Sequence, residues 1–569
     1  MSTESATQKT SSHPLYRYVP ILSWLPHYKV EWLSKDLVAG FTTWGVVFPA
    51  GVAYAGMAGV PAQAGLYTLL ASLTLYAILG TSKQLVLAST SASAIMIGSE
   101  IAALNPSNAT AYYELVTMLV VLTGAIFFLC GLFKLGFITN FFSHPVMAGF
   151  ISGLVIYTVV AQLPKLLGMM KGTGNTFQQL WYVLTHLNTA NLATVLVGLV
   201  SLIILFVLPL ISRRIPSGLV VLVLGILVSK ALNLNTNYGV AIVGTVPAGL
   251  PSVTVPQFTL SNVEALLPSA IGLMLVMFSE AAGAADFFAT KYGYEVDSNQ
   301  EMVAMGVASI ASGFIGGLAA GGSVSQSSIN DEAGARTPVS LLVAAAIVLL
   351  TVLVLTPFFT DLPKTVLAAL IIHAVIGMLK VKQMRRYFQL QRLEFWLGMV
   401  TLMGVLLIDV LPGLIIGMVF SLLVVIYRSS RPSNSVLGQV PGALGTYGDI
   451  KRHPENTTIP GLLIFRPDAT MYFPNANEVR DHIRALVKTS KTPVRTVLID
   501  MTANDELDLT SVEMLENLAE QLHNEAIELL LAEVHEPVKE MVERSGLLKK
   551  IGTEQIFPTV DAAVQHFRT

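Results

Sequence analysis

The sequence predicts a polytopic α-helical membrane protein of about fourteen spans, arranged as a 7+7 inverted repeat and followed by an α/β domain. Three observations predict it. Hydrophobic residues make up 53% of the 569-residue chain and charged residues 12%, against about 25% charged in soluble domains. From Asp36 to Arg428 the chain is a series of apolar runs separated by short polar breaks. After Arg431 it turns into short strand and helix patterns in alternation.

Residues 1–35 read as a polar N-terminal tail. Met1 to His13 is rich in Ser and Thr and lacks an apolar core, so no signal peptide is expected there. Residues 36–430 hold the spans. The clear ones are Val38–Met57, Leu115–Leu132, Gly149–Leu167, Leu192–Ile211, Ser217–Leu232, Leu266–Ala289, Val339–Phe358, Leu362–Leu379 and Phe395–Leu411. Residues 431–455 read as a linker, because Pro, Gly and Ser dominate Pro432–Gly448. Residues 456–569 form the α/β domain. Strands are expected at Gly461–Phe465, Val494–Met501 and Ile527–Val534, and helices at Asn477–Lys488, Ser511–His523 and Glu536–Ser545. Val512, Leu515, Leu518 and Leu522 share one face of the second helix.

Lys and Arg placement orients the spans. Arg213 and Arg214 follow the sixth span; Lys380, Lys382, Arg385, Arg386 and Arg392 follow the twelfth; Arg428 and Arg431 follow the last. With an even span count these fall on the side of Arg17, Lys29 and Lys35, which reads as the cytoplasm. An integral protein of the plasma (inner) membrane with both termini cytoplasmic is expected. Opposite loops carry isolated lysines such as Lys171 and Lys230, and Asn108-Ala109-Thr110 matches a glycosylation sequon.

Two stretches of small residues interrupt the apolar pattern, one in each half. Gly80-Thr81-Ser82 leads to Ser89-Thr90-Ser91-Ala92, and Gly316-Gly317 leads through Gly321-Gly322 to Ser323-Val324-Ser325. Broken helices at matched places in two halves mark a transporter's substrate site. Each half-helix N-terminus offers unpaired N–H groups and a positive dipole end, which suits an anion. Tight packing through small residues is the competing explanation. Candidate anion contacts are Ser89, Thr90, Ser91, Gly322, Ser323, Val324, Ser325 and Gln326. Two helix ends supply about +0.5 each and offset one negative charge, so a dianion needs a co-transported cation or a proton. Lys83 reads as an interfacial anchor.

The halves show a weak repeat. Pro49-Ala50 precedes Ser89-Thr90 by about 40 residues, and Glu280 precedes Ser323 by 43. Glu280 lies deep in an apolar span, where a charge costs roughly 2.5–3.5 kcal/mol, so a function is expected of it. It can carry a proton or ligate Na⁺; a structural hydrogen bond between helices is the alternative. Asp286 reads as a solvated helix end, Glu100 and Asp409 as interfacial, and His373 as a weaker candidate for proton shuttling.

Several classes are excluded. The lone Cys130 permits neither an internal disulfide nor a Cys-based metal cluster. The sequence has no Walker motif for ATP-driven transport, no nucleophile triad spacing and no basic aromatic stripe for nucleic acid. No cofactor and no enzymatic activity are expected. The net charge of −2 says nothing about partners.

The ordered motifs resemble the SulP family of anion transporters, the sulfate permeases, whose animal relatives include prestin. The resemblance runs from Asp36 to Phe567. It is carried by Asp36-Leu-Val-Ala-Gly40, Pro49, Ala53-Tyr54-Ala55, Gly59-Val60-Pro61, Gly65-Leu66-Tyr67, Tyr76 and Gly80-Thr81-Ser82 in the first half. Glu280, Asp297-Ser-Asn299-Gln300-Glu301, Gly322-Ser323-Val324-Ser325 and Ala333-Gly334-Ala335-Arg336-Thr337 carry it in the second. Tyr472-Phe473, Asn475-Ala476, Asp508 and Ser545-Gly546-Leu547 resemble a STAS domain. The resemblance implies a uracil-permease-like fold with core and gate domains, homodimers, and an anion held between the third and tenth half-helices. Three positions depart from the family pattern: Ala50 where a Gln is frequent, Gln326 where many members have Arg, and Leu509 after Asp508 where related regulators are phosphorylated.

The reading is a secondary active transporter in contact with membrane lipid. It carries a small inorganic anion, sulfate or bicarbonate ahead of dicarboxylates, coupled to H⁺ or Na⁺ through Glu280. An uncoupled exchanger or channel and a membrane-tethered STAS signalling scaffold are the rivals.

Overall fold

The computed structural model describes residues 18–137, 143–211, 217–244 and 249–569. Arg17, Arg213 and Arg214, used above for orientation, lie outside the described residues. The chain divides into two compact units, with the division between Val419 and Phe420.

In chain order the first unit carries α1 Leu33–Met57, α2 Ala62–Leu79, β1 Leu87–Ala88, α3 Ser91–Ala103, α4 Ala109–Leu132, α5 His144–Leu167, α6 Leu192–Ile211 and α7 Ser217–Leu232. Then come α8 Leu260–Tyr292, α9 Ser298–Phe314, β2 Gly321–Gly322, α10 Val324–Glu332, α11 Val339–Leu350, α12 Lys364–Ile376, α13 Arg392–Leu407 and α14 Val410–Ser429, whose end belongs to the second unit. Seven of these principal helices fall in each half, and in each half the third is short and preceded by a strand. Among the described residues eight helices are long and apolar enough to cross a membrane alone. The broken helices fall below that mark because half a span is all the helix they contain. The span expected at Val339–Phe358 is helical only to Leu350, then widens into a π turn over Thr351–Leu355 and tightens into a 3₁₀ turn over Thr356–Asp361.

Helix starts follow capping chemistry. Asn108 caps α4 by accepting the Ala111 N–H at 2.9 Å, which is the local role of the sequon asparagine. Asp297 caps α9 by accepting the Asn299 and Gln300 N–H groups. The helices then sort into two packed groups: α1–α4 with α8–α11, and α5–α7 with α12 and α13. These are the core and gate groups. Within each, backbones approach through small residues. Gly124 of α4 lies against Gly306 of α9, and Gly149 of α5 against Gly398 of α13; a Cβ at any of the four would collide with backbone.

The second unit is an α/β domain around a six-stranded sheet of order β4-β3-β5-β6-β7-β8. Its strands are β3 Asn434–Gln439, β4 Tyr447–Asp449, β5 Leu462–Pro467, β6 Thr496–Asp500, β7 Glu528–Ala532 and β8 Ile556–Phe557. β5 to β8 run parallel, and β3 is antiparallel to both of its neighbours. The main helices are α15 Ala476–Thr489, α16 Leu509–Asn524, α17 Glu536–Ser545 and α18 Val560–Arg568. Val512, Leu515, Leu518 and Leu522 of α16 are buried on one face, as their spacing requires.

One boundary is corrected. The stretch read as a linker, 431–455, contributes two strands to the sheet: β3 and β4 form a hairpin whose inner strand pairs Val436 with Phe465. Pro441, Gly442 and Gly445 sit in its turn, where Gly442 and Gly445 adopt positive φ of 78° and 73°.

Candidate functional site

The two small-residue stretches meet. β1 and β2 pair antiparallel, Leu87 with Gly322 and Ala88 with Gly321. This crossing points two helix N-termini, α3 at Ser91 and α10 at Val324, toward one region of the core group. Glycine is needed here for close approach: a Cβ on Gly322 would come within 2.9 Å of the Ala281 Cβ on α8. Small residues therefore serve both explanations raised by the sequence, a chain break and tight packing.

The loops into the crossing are tied down by buried groups. Glu301 of α9 is 2% exposed and accepts from the Tyr76 hydroxyl, the Thr81 hydroxyl and the Thr81 N–H, each at 2.7 Å, and from the Ser82 N–H at 3.3 Å. Ser327 of α10 accepts the Val86 N–H at 2.8 Å. In the second half, Thr68 of α2 accepts the Leu318 N–H at 2.6 Å and Ser309 accepts the Ala320 N–H at 3.1 Å. Asp36 at the start of α1 accepts the Arg336 and Thr337 N–H groups and the Thr337 hydroxyl. None of these carboxylates was singled out from sequence as a positioning group. The signal available was two acidic residues, Asp36 and Glu301, inside family motifs.

The predicted contacts differ in what they do. Ser89 is buried and its hydroxyl donates to the Ala319 carbonyl at 3.4 Å, so it holds the crossing together. Thr90 is the N-cap of α3 and forms a reciprocal capping box with Ser93. Ser91 opens the helix and places its hydroxyl 3.1 Å from the Met378 sulfur, which lies beyond α12 on the gate side. At α10, Ser323 occupies the N-cap position without a side-chain cap bond. The N–H groups of Val324, Ser325 and Gln326 accordingly have no partner among the described residues. Val324 is 45% exposed and Ser325 is exposed, so this helix end is accessible. Gln326 is 4% exposed, and its Oε1 has no hydrogen-bond partner.

Glu280 of α8 reaches the same place. The Thr90 side chain lies beside its carboxylate, and Lys380 acts on it electrostatically. The Tyr54 phenol of α1 interacts with Glu280 and with the Gln326 side chain. The structure therefore brings together Thr90, Ser91, Glu280, the start of α10 and Gln326, and adds Tyr54, Met378 and Lys380, to which the sequence had assigned no role at a site.

Other candidates lie elsewhere. Asp286 is exposed in the last two turns of α8. Lys83 stacks over the Tyr294 ring at 5.3 Å, an anchoring contact beside the loop. Glu100 accepts the Ser269 hydroxyl at 2.7 Å and so ties α3 to α8. The Asp409 carboxylate accepts the Val410 N–H at 2.7 Å. His373 packs edge-on to Phe206 at 4.9 Å and has no hydrogen-bond partner among the described residues, which leaves a proton relay through it without a neighbour. Among the described residues no cluster of three His, Cys, Asp or Glu could hold a metal ion.

This arrangement can hold an anion on two converging helix ends, with a carboxylate beside it to take up a cation. The profile of the Sulfate permease family matches residues 33–401 and that of the STAS domain residues 453–563. A "probable sulfate transporter" of Mycobacterium tuberculosis is 31% identical over 541 residues, covering 95% of this chain and 96% of that protein. Zebrafish (Danio rerio) prestin is 31% identical over 494 residues, covering 81% and 66%. Sulfate transporter 1.3 of Arabidopsis thaliana is 30% identical over 569 residues, covering 96% and 86%. Murine Solute Carrier 26 family member A9, an anion transporter solved in the inward-facing state, superposes with a TM-score of 0.90 at 24% identity, covering 100% of this chain and 96% of that one. The transmembrane domain of a cyanobacterium bicarbonate transporter gives 0.61 at 23%, covering 69% and 98%. At these identities the two structures speak for the fold alone.

Proposed function

This chain belongs to the sulfate permease family, and from that premise we propose that it is a secondary active transporter of a small inorganic anion coupled to H⁺ or Na⁺. Sulfate and bicarbonate are the leading substrates, and dicarboxylates follow. The observation that carries the reading is the β1–β2 crossing, which sets two helix N-termini beside Glu280. An anion placed there faces unpaired N–H groups of α10 and the start of α3. Glu280 would otherwise repel it, so the anion is best bound when the carboxylate is protonated or paired with a cation. That requirement is the coupling. The core group then moves against the gate group to expose the site to either side. A homodimer in the plasma (inner) membrane, with both termini in the cytoplasm, completes the proposal.

The test is uptake of radiolabelled anions into proteoliposomes, with and without a proton or Na⁺ gradient. Accumulation of sulfate or bicarbonate above equilibrium under one gradient is expected. Equilibration that ignores both gradients would establish the uncoupled exchanger or channel instead.

A further inference from the structure

The helix ends alone supply about one positive charge, and position 326 in the first turn of α10 is an uncharged Gln. The remaining fixed charge has to come from elsewhere, and the gate group offers one. Lys380 lies beyond α12, immediately before a short helix, Val381–Leu390. It is exposed and forms no ion pair within 4.0 Å among the described residues. Two residues earlier Met378 touches Ser91 at the first turn of α3, so this gate segment lies against the anion-facing helix end. Thr90 of α3 lies beside Glu280, and Tyr54 of α1 and, from the gate segment, Lys380 are near enough to interact with it electrostatically.

We infer that Lys380 is a specificity-determining residue that completes the anion site from the gate side and fits it to a divalent oxyanion. This rests on the anion-site reading above. With Glu280 ionised, its charge cancels that of Lys380 and only the helix ends remain, about one positive charge. With Glu280 neutral, helix ends and ammonium together give about two, which matches a dianion such as sulfate. The lysine also belongs to the group that moves relative to the core, so its charge is present only when core and gate are close. Dianion binding thereby stabilises one arrangement of the two groups.

The experiment compares sulfate with bicarbonate and chloride in proteoliposome uptake for wild type, Lys380→Gln and Lys380→Arg, at saturating gradient. Lys380 is exposed, so neither change should disturb folding. Lys380→Gln is expected to raise the apparent KM for sulfate about tenfold, as loss of one charge contact in a partly wet site would, while the monovalent anions change much less. Lys380→Arg should restore sulfate. An unchanged sulfate-to-chloride ratio in Lys380→Gln, or an equal loss for all anions, overturns the inference. Ser325→Glu separates this from failure of the site itself. If Ser325→Glu abolishes uptake and Lys380→Gln does not shift selectivity, the site stands and the role of Lys380 falls. If Ser325→Glu transports like wild type, the half-helix site falls and takes this inference with it.

Discussion

The Tyr76 hydroxyl donates to Oε2 of Glu301 at 2.7 Å, across 225 positions of chain. The same carboxylate accepts from both donors of Thr81 and from the Ser82 N–H. One buried acidic group of the second half thus fixes the loop through which the first half enters its broken helix. The inverse tie is made by Asp36, which holds the loop after α10.

Glu301→Gln replaces an acceptor-only group by one that turns an amide NH₂ toward these donors. Either the Tyr76 hydroxyl must turn to accept from that amide or a buried hydrogen bond is lost, at a cost of about 1–3 kcal/mol. The protein in detergent should lose thermal stability, and substrate affinity should fall as the entry to α3 loosens. A melting temperature equal to wild type would show that the loop is held by packing instead.

Glu280→Gln removes the charge at the crossing and keeps the side-chain volume. Expression and folding should be retained, gradient-driven accumulation lost and counterflow exchange kept. The measurement is the ratio of internal to external substrate under an imposed gradient. A mutant that concentrates substrate as wild type does would remove Glu280 from the coupling step.

Gln326→Arg installs a permanent charge at a buried position whose Oε1 has no hydrogen-bond partner and whose side chain faces Tyr54. Anion affinity should rise and its dependence on pH or Na⁺ should flatten, because the arginine now offsets the anion. Turnover should slow, since a more tightly held anion leaves less easily. Apparent affinity against pH, recorded for both proteins, decides the point: curves of equal slope from a well-folded mutant would mean that position 326 does not face the substrate.

Asp508 caps α16, accepting the Ser511 N–H at 2.8 Å and the Phe473 N–H at 2.7 Å. Partial burial pushes its carboxyl up, but Ser511 and then the Phe473 N–H more than reverse this, and the group sits below its ordinary value. A depressed value stabilises the fold above the unfolded-state range of about 3.9, and that contribution fades as pH falls through the folded value. Asp508→Ala in the isolated α/β domain should therefore cost about 0.5–2 kcal/mol at pH 7. The difference from wild type should shrink as the solution is acidified below pH of about 4. Urea unfolding at several pH values checks it, and a mutant deficit independent of pH would assign the loss to packing.

Much of this protein was legible in its sequence because the signals are local. Apolar runs about as long as a bilayer is thick read as spans, and the three strands and three helices drawn after Gly461 are all present, with Val512, Leu515, Leu518 and Leu522 on one buried face. The breaks at Ser89–Ser91 and Gly321–Ser323 were visible as small polar residues where a helix has no use for them. The linker reading failed because composition describes a turn and cannot say that the flanking residues pair with a distant strand, as Val436 does with Phe465. For the same reason no role at a site could be read for Lys380, Met378 or Tyr54. Their importance comes from proximity to Glu280 and Ser91, and proximity between segments so far apart is set by how helices pack, through pairs such as Gly124 with Gly306 and Leu87 with Gly322. Hydropathy and periodicity are properties of neighbours along the chain. The meeting of two helix ends, a carboxylate and a lysine is a property of neighbours in space, and only the tertiary structure decides those.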